Sequence, residues 1–308
     1  MDKAKDFEDF YTNRLQPFIS ELKLKSDEAA KWRMAAIAFT ILAIFCFILQ
    51  QSSLAVFFII LIIISIYYYF KKNEAFIDNY KATIINEIIN FINPGLVYKP
   101  NNYISSKEYK ASGHYRYIYG IYDGDDYIEG SYKNIKFHSS EIETLFERRN
   151  VPMQYEKGRT IFKGLFFVAT INKFQGGTYI WTKGEEQLPT SIMDEHYRFF
   201  QLPRIYKIQV ADAEFSKYFS VYSTYPTEAE ILLDQEMIQR MVSFKKQIGK
   251  EVRYSVVAGK FYVSIPIEEE LLEPSVNRLD DRGKIKKYFY TVLLMLSIIN
   301  QLRLNKFT

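Results

Sequence analysis

Residues 34–70 read MAAIAFTILAIFCFILQQSSLAVFFIILIIISIYYYF, and no charged side chain interrupts them. As one straight helix this run would be about 55 Å long at 1.5 Å per residue. The hydrocarbon core of a bilayer is only about 30 Å thick. The run must therefore fold back on itself. Its one polar break, Gln50-Gln51-Ser52-Ser53, lies in the middle and leaves two apolar stretches, Met34–Leu49 and Leu54–Phe70. The expected spans are about 34–50 and 54–70, each near the short end of the length needed to cross.

The flanks orient the pair. Lys23, Lys25, Lys31 and Arg33 precede the first stretch, and Lys71, Lys72 and Lys81 follow the second. The connecting loop has neither Lys nor Arg. The positive-inside rule places both termini in the cytoplasm. Lys31, Trp32, Arg33, Lys71 and Lys72 are the expected membrane-interface residues, with Tyr67, Tyr68 and Tyr69 beside them as an aromatic belt. A signal peptide does not fit, because some thirty polar and charged residues precede the apolar run and no small-residue cleavage site follows it. A soluble core hairpin would not need Phe57–Ile64 to be apolar all round.

Two amphipathic segments flank the spans. Phe7, Phe10, Tyr11, Phe18 and Leu22 recur at helical spacing before them, with Pro17 a possible kink. Ile77, Tyr80, Ile84, Ile88 and Phe91 do so after them, until Asn93-Pro94-Gly95 stops the helix. Because the hairpin is tight, the two segments leave the bilayer together, and an antiparallel stalk covers both apolar faces. The alternative is an N-terminal helix lying flat on the bilayer. Residues 1–95 are thus expected to be a helical membrane anchor with stalk, and 96–308 a cytoplasmic domain.

That second part alternates strand and helix signals. Ser105 with Glu108 resembles a helix start. Tyr115, Tyr117 and Tyr119 alternate with period two, and Asp123-Gly124-Asp125 is a turn signal. Strands are expected over Asp126–Tyr132, Ile135–His138 and, most strongly, Thr160–Ile171. Gly176-Gly177 is expected to turn that strand into Thr178–Trp181 as a hairpin. A short helix (Asp212–Tyr218), a short strand (Ser220–Ser223), a helix opened by Pro226 and a helix Gln235–Ile248 stopped by Gly249 follow. Arg253–Val257 and Lys260–Ile265 read as a hairpin about Ala258-Gly259. A last helix, about Lys284–Leu304, has too short an apolar stretch to span. The fold class is α+β: a two-helix transmembrane hairpin with helical stalk, then an antiparallel sheet with segregated helices.

Composition excludes several functions. There are 40 Lys+Arg and 36 Asp+Glu, a net charge of +4, with none of the concentrated basic character that nucleic-acid binding needs. The single Cys46, inside the apolar run, allows no disulfide framework and suits a reducing compartment. The abundance of Ile, Lys, Asn, Phe and Tyr points to an AT-rich bacterial source, and so to the inner membrane.

The chain resembles the bacterial domain-of-unknown-function family 3137. The residues that carry the resemblance are Asp125-Asp126-Tyr127-Ile128 with Gly130; Phe162-Lys163-Gly164-Leu165-Phe166-Phe167-Val168-Ala169 with Asn172-Lys173; Glu214-Phe215 with Lys217, Phe219 and Val221-Tyr222-Ser223; Glu228-Ala229; and Glu273-Pro274-Ser275. Thr170 departs from an expected acidic residue, and Leu233-Asp234-Gln235 from a Leu-Thr-Pro. The resemblance implies two N-terminal membrane helices. It implies no catalytic residue, because the family has no assigned activity.

No motif commits the chain to a reaction. His114, His138 and His196 have no metal-ligand spacing. Asp123, Asp125 and Asp126 lack the later glycine and glutamate of a calcium loop and read as a solvated hairpin turn. Glu185-Glu186, Glu268-Glu269-Glu270 and Asp280-Asp281 read as solvated faces. The Gly176-Gly177 pair lies between strands rather than before a helix, so it is no phosphate loop. Tyr115, Tyr117, Tyr119, Tyr122 and Tyr127 form a candidate aromatic binding surface, set against the plainer reading of half-buried core. No cofactor or metal is expected. The partners expected are the bilayer and a protein or peptide at the membrane. The function expected is a non-enzymatic interaction or scaffold module. The alternative is a membrane-bound enzyme with a site assembled from scattered residues.

Overall fold

The computed structural model describes residues 7–115, 120–145, 160–184, 205–274 and 281–307. The chain forms two compact units. One contains Met1–Pro94 and Leu272–Tyr290, the other Gly95–Leu271 and Thr291–Thr308.

The helical unit is built on α1 (Phe7–Ile48) and α2 (Ser52–Ile92). The turn between them falls at the polar break, where Gln50 takes a left-handed φ of 59°. The helices pair antiparallel along their length. Phe39 stacks on Phe58, Trp32 on Tyr68 at 4.7 Å and Phe10 on Phe91 at 4.1 Å. Between these levels Lys72 pairs with Glu28 at 2.8 Å and Lys25 donates to Asn79 at 3.2 Å. The amphipathic flanks therefore continue the hairpin as a stalk, and the N-terminal segment lies along α2. Small side chains (Ala43, Cys46, Ala55 and Ser65) are the buried ones in the apolar part, which lets the two backbones approach closely.

Each helix loosens by one π-helical turn, Tyr11–Leu15 in α1 and Lys81–Ile85 in α2. Pro17 closely follows the first. It has no N–H to give to the preceding turn, which accounts for a break in the hydrogen-bond register there. Lys81, read from sequence as part of the positive flank, is instead buried and ion-paired to Glu273 at 2.8 Å. The start of the last helix, α7 (Arg282–Gln301), also belongs to this unit. Its Phe289 packs edge-on to Phe7 at 5.2 Å and lies 6.1 Å from Phe91.

Among the described residues the other unit is built on one nine-stranded antiparallel sheet. Its strands are β1 (Val97–Lys99), β2 (Ile121–Tyr132), β3 (Ile135–Leu145), β4 (Thr160–Thr170), β5 (Gly177–Thr182), β6 (Tyr206–Ile208), β7 (Phe219–Ser223), β8 (Arg253–Val257) and β9 (Lys260–Pro266). They are ordered β1-β2-β3-β4-β9-β8-β5-β7-β6. Among the described residues, four helices accompany them: α3 (Ser106–Ala111), α4 (Phe215–Tyr218), α5 (Pro226–Leu232) and α6 (Gln235–Ile248). β4 is covered on both faces, and Leu165 to Ala169 are fully buried. On one face Phe162, Phe166 and Val168 join Ile104, Tyr109, Tyr115, Ile142 and Tyr262 in a core. On the other, Phe167 stacks on Phe137, and Ser139 Oγ reaches Met295 Sδ at 3.2 Å in the later part of α7.

Two sequence expectations are corrected here. Asp123-Gly124-Asp125 is not a turn but the interior of β2. The β2–β3 turn is Lys133-Asn134, both with positive φ, as a tight two-residue hairpin requires. Nor do β4 and β5 form a hairpin. β9 and β8 lie between them, so Gly176-Gly177 leads the chain to a distant place in the sheet. Gly177 N instead donates to Thr224 Oγ1 at 2.8 Å, beside β7. By contrast α6 has its expected bounds, capped by Asp234 (Met237 N to Oδ1, 2.8 Å) and ended by Gly249 at φ 65°.

Candidate functional site

The register of the sheet sets one residue of each of four strands in a row: Gly124, Ile142, Gly164 and Pro266. Both glycines answer close approaches. A Cβ on Gly124 would lie 2.3 Å from the Glu141 carbonyl oxygen, and one on Gly164 2.3 Å from that of Ile265. Gly164 also has φ +146°, a conformation that side chains disfavour. The strands are pinched together at this row.

Acidic residues gather beside the pinch. Asp125 is paired with Glu141 across β2 and β3, and the β2 register then slips through a bulge before Ile128. Asp126 sits in the bulge at φ 57° and is buried. Its amide donates to Pro100 O at 2.8 Å, that of Tyr127 to Asn102 O at 3.0 Å, and Tyr98 donates its hydroxyl to Asp126 Oδ1 at 2.5 Å. A bulge re-aims side chains in this way. One carboxylate oxygen from each of Asp125, Asp126 and Glu141 lies within 4.8 Å of the others, a spacing that would allow them to share a cation. The connector after β9 closes the site: Leu271 N donates to Glu141 Oε2 at 2.7 Å, and Glu270 takes Lys163 Nζ at 2.5 Å.

The electrostatics follow from this crowding. Burial pushes the Glu141 carboxyl up to about 8; the Leu271 amide opposes the rise, and Glu270 and Asp125 add to it. Glu141 is therefore a group that holds its proton near neutral pH. Lys163 is raised in turn by its bond to Glu270, with Glu143 and Glu141 contributing. Chemically the cluster can hold a proton, and its oxygens are hard donors of the kind that suit a hard cation.

The sequence by itself places Asp125 and Asp126 in a turn and Glu270 on a solvated face. What joins them is the pairing of β3 with β2 and the return of the β9 connector, which no spacing in the chain reveals. The available signal is Gly124 between two aspartates and Gly164 beside Lys163.

Three residues of the tyrosine set are described, and all three meet one core. Tyr115 lies in the core, its ring 4.9 Å from Phe162 and 4.4 Å from the Arg253 guanidinium. Tyr122 and Tyr127 pack against the same core partly buried; the first donates to Ile104 O at 2.6 Å and the second to Glu129 at 3.2 Å. Tyr117 and Tyr119 lie outside the described residues, as does His196. Among the residues expected at a membrane interface, Trp32 stacks on Tyr68 and Lys72 pairs with Glu28, as given above.

His114 is fully buried, with Nδ1 2.9 Å from Ser264 Oγ. Burial and the neighbouring Arg253 hold its pKa well below the usual range, so it is neutral. Ser264 is buried as well, so this Ser–His pair stands in the core rather than at a surface. His138 is elsewhere, 3.0 Å from Glu108.

Comparison with protein families finds one match. Residues 160–304 match the model described as "Protein of unknown function (DUF3137)". They belong to the DUF3137 family. The matched region starts at β4, contains the Lys163-Gly164 pair and Glu270, and ends just past α7. The DUF3137 region thus supplies the basic side of the cluster and its closing connector, while Asp125, Asp126 and Glu141 precede it. No curated protein and no solved structure matches the chain.

Proposed function

We propose that the protein is a membrane-anchored interaction module, with α1 and α2 crossing the bacterial inner membrane, both termini in the cytoplasm and the sheet unit presented there to a protein or peptide partner. The observation that carries this reading is the exposure of the apolar helix surface. Only 6% and 11% of the most apolar windows of α1 and α2 are buried. Phe47 is 78% exposed and Ile48 69%. A core helix of a soluble protein would cover such side chains. Trp32 and Tyr68 stack at the level of Lys31, Arg33, Lys71 and Lys72, which suits the boundary between lipid and water. The pairing of the polar flanks argues that the N-terminal segment is part of the structure rather than a cleaved leader.

A partner-binding role is supported by the sheet edge at β6. Tyr206 on β6 and Tyr225 and Ile231 on the neighbouring α5 segment are all exposed, and aromatic anchors are common in protein interfaces. The carboxylate cluster is the observation that favours the enzyme alternative. In the module reading it ties the β9 connector to β3 and β4.

Reporter fusions near residues 10, 52 and 300 test the topology; periplasmic activity at either terminus would sink it. Affinity capture of the full chain from native membranes tests the module, with residues 1–95 alone as control. Proteins enriched only by the full chain support it. Identical captures from both would remove the case for a binding sheet unit.

A further inference from the structure

A groove of about 560 Å³ opens on the sheet unit, and none of the carboxylate-cluster residues lines it. Its lining comes from four places in the chain: Lys133 from the β2–β3 turn, Glu236 and Arg240 from α6, Asn300 from the end of α7, and Arg303 and Lys306 from the segment after it. Four cations thus face one carboxylate. The volume is in the range of small-molecule sites.

We propose that this groove binds a phosphate-bearing anion. Glu236 shows how the cations converge. Its Oε1 accepts from Arg240 Nε at 3.0 Å, from Arg240 Nη2 at 2.8 Å and from Arg303 Nη1 at 2.7 Å. Lys306 stands 4.0 Å from its other oxygen. Two guanidinium groups aimed at one oxygen form a planar, multidentate donor set of the kind that recognises phosphate. Glu236 occupies that set with a single negative charge, and its own side chain is 42% exposed. A phosphate dianion brings more charge and more acceptor oxygens to the same donors.

The surrounding polar groups fit. Lys133 Nζ donates to Asn300 Oδ1 at the mouth of the groove, where an entering anion can take it over. Lys306 also bonds both oxygens of Asp234, the cap of α6, at 3.0 and 2.9 Å. Arg240 Nη1 is held by Gln301 O at 2.9 Å, which fixes the guanidinium in place. The start of α6, where Glu236 sits in the first turn, adds a partial positive charge to the site. The inference does not depend on α1 and α2 crossing a membrane. The phosphate can belong to a lipid headgroup or to a free ligand.

The test uses the full chain in neutral detergent micelles. One arm titrates inorganic pyrophosphate by calorimetry. The other compares mixed micelles containing dioleoyl phosphatidic acid with micelles containing dioleoyl phosphatidylcholine. In both, lysine acylation read by peptide mass spectrometry reports on Lys133 and Lys306. The expected result is saturable binding in at least one arm, with protection of both lysines. The paired change Lys133→Gln with Arg303→Gln weakens it about tenfold or more, by loss of charge-assisted bonds. Glu236→Gln strengthens it several-fold, because it removes the internal competitor. The arm that responds identifies the source of the phosphate. Absence of saturable binding in both arms at millimolar probe overturns the proposal. So does binding unchanged by the paired substitution. If Glu236→Gln melts the protein without raising affinity, the ion pairs are structural, and the paired change, at two exposed positions, still decides the question of binding.

Discussion

Gly164→Ala should cost far more than the addition of one methyl group suggests. The new Cβ would lie 2.3 Å from Ile265 O, 2.5 Å from Ile267 N and 3.1 Å from Pro266 C, all backbone atoms of β9 and its exit. Ordinary contact begins near 3.5 Å, so β9 must retreat by about 1 Å. The bond from Ile267 N to Lys163 O, now 2.9 Å, would be broken by that movement, at about 1 kcal/mol. Overpacking adds about 1–3 kcal/mol, and φ +146° adds about 1–3 kcal/mol of backbone strain. The sum is about 3–7 kcal/mol, a large part of the stability of an ordinary domain. Gly249→Ala is the control. Gly249 also has positive φ, but its Cβ would meet nothing within 4 Å, so strain alone applies, about 1 kcal/mol. Thermal and denaturant unfolding of both variants, as full chains in detergent, measures the difference. Hydrogen exchange at Ile267 should accelerate only in Gly164→Ala. Equal loss of stability in the two variants would refute the pinch between β4 and β9 as the reason for Gly164.

The remaining expectations use the same preparation. Glu141 has a folded pKa of about 8, above its unfolded value of 4.5, so its contribution is fully present below about pH 4.5 and falls as pH rises to about 8, by a few kcal/mol. Glu141→Gln should flatten that slope in melting curves taken between pH 5 and pH 8, and an unchanged slope would show that Glu141 does not hold the proton. Lys163→Ala removes a partly exposed pair with Glu270 and should cost about 1 kcal/mol or less; loss of function in cells with fold and partner capture intact would favour the enzyme reading. Deleting residues 1–72 removes Phe7 and Phe10 from Phe289, so the shortened chain should bind an apolar dye and gain solubility from Phe289→Ser, and a monodisperse, dye-negative product would contradict this.

What was legible in the sequence was what short-range chemistry decides. The polar break at 50–53 was readable as the turn between α1 and α2 because four polar residues stand midway in a 37-residue apolar run. α6 was readable because Gly249 ends it, and the β8–β9 hairpin because Ala258-Gly259 takes the positive φ values its turn needs. Asp123-Gly124-Asp125 misled because its composition suits a turn while its glycine serves another purpose: it admits the backbone of Glu141. The β4–β5 hairpin failed for a related reason. Gly176-Gly177 lies between two strands, and adjacency in sequence says nothing of the two strands inserted later between them.

The same limit explains the two polar sites. Glu141 and Leu271 meet across 130 positions, and Lys133 and Asn300 across 167. Neither pairing has a local period, so neither left a motif. Yet the carboxylate cluster does have a sequence trace, once the role of its glycines is understood. Gly124 and Gly164 flank Ile142 in adjacent strands, and the neighbouring row holds Asp125 and Glu141. Removing side chains from one row lets the backbones close, and closing the backbones forces the next row's carboxylates together. The repulsion this creates is relieved by a retained proton on Glu141 and by Lys163, the residue next to the second glycine. A glycine beside a lysine in a strand whose interior is otherwise apolar is thus the mark of a site whose acidic half lies elsewhere in the chain. The groove on α6 has no such trace, because Arg240, Arg303 and Lys306 come from separate turns of the chain and meet at Glu236.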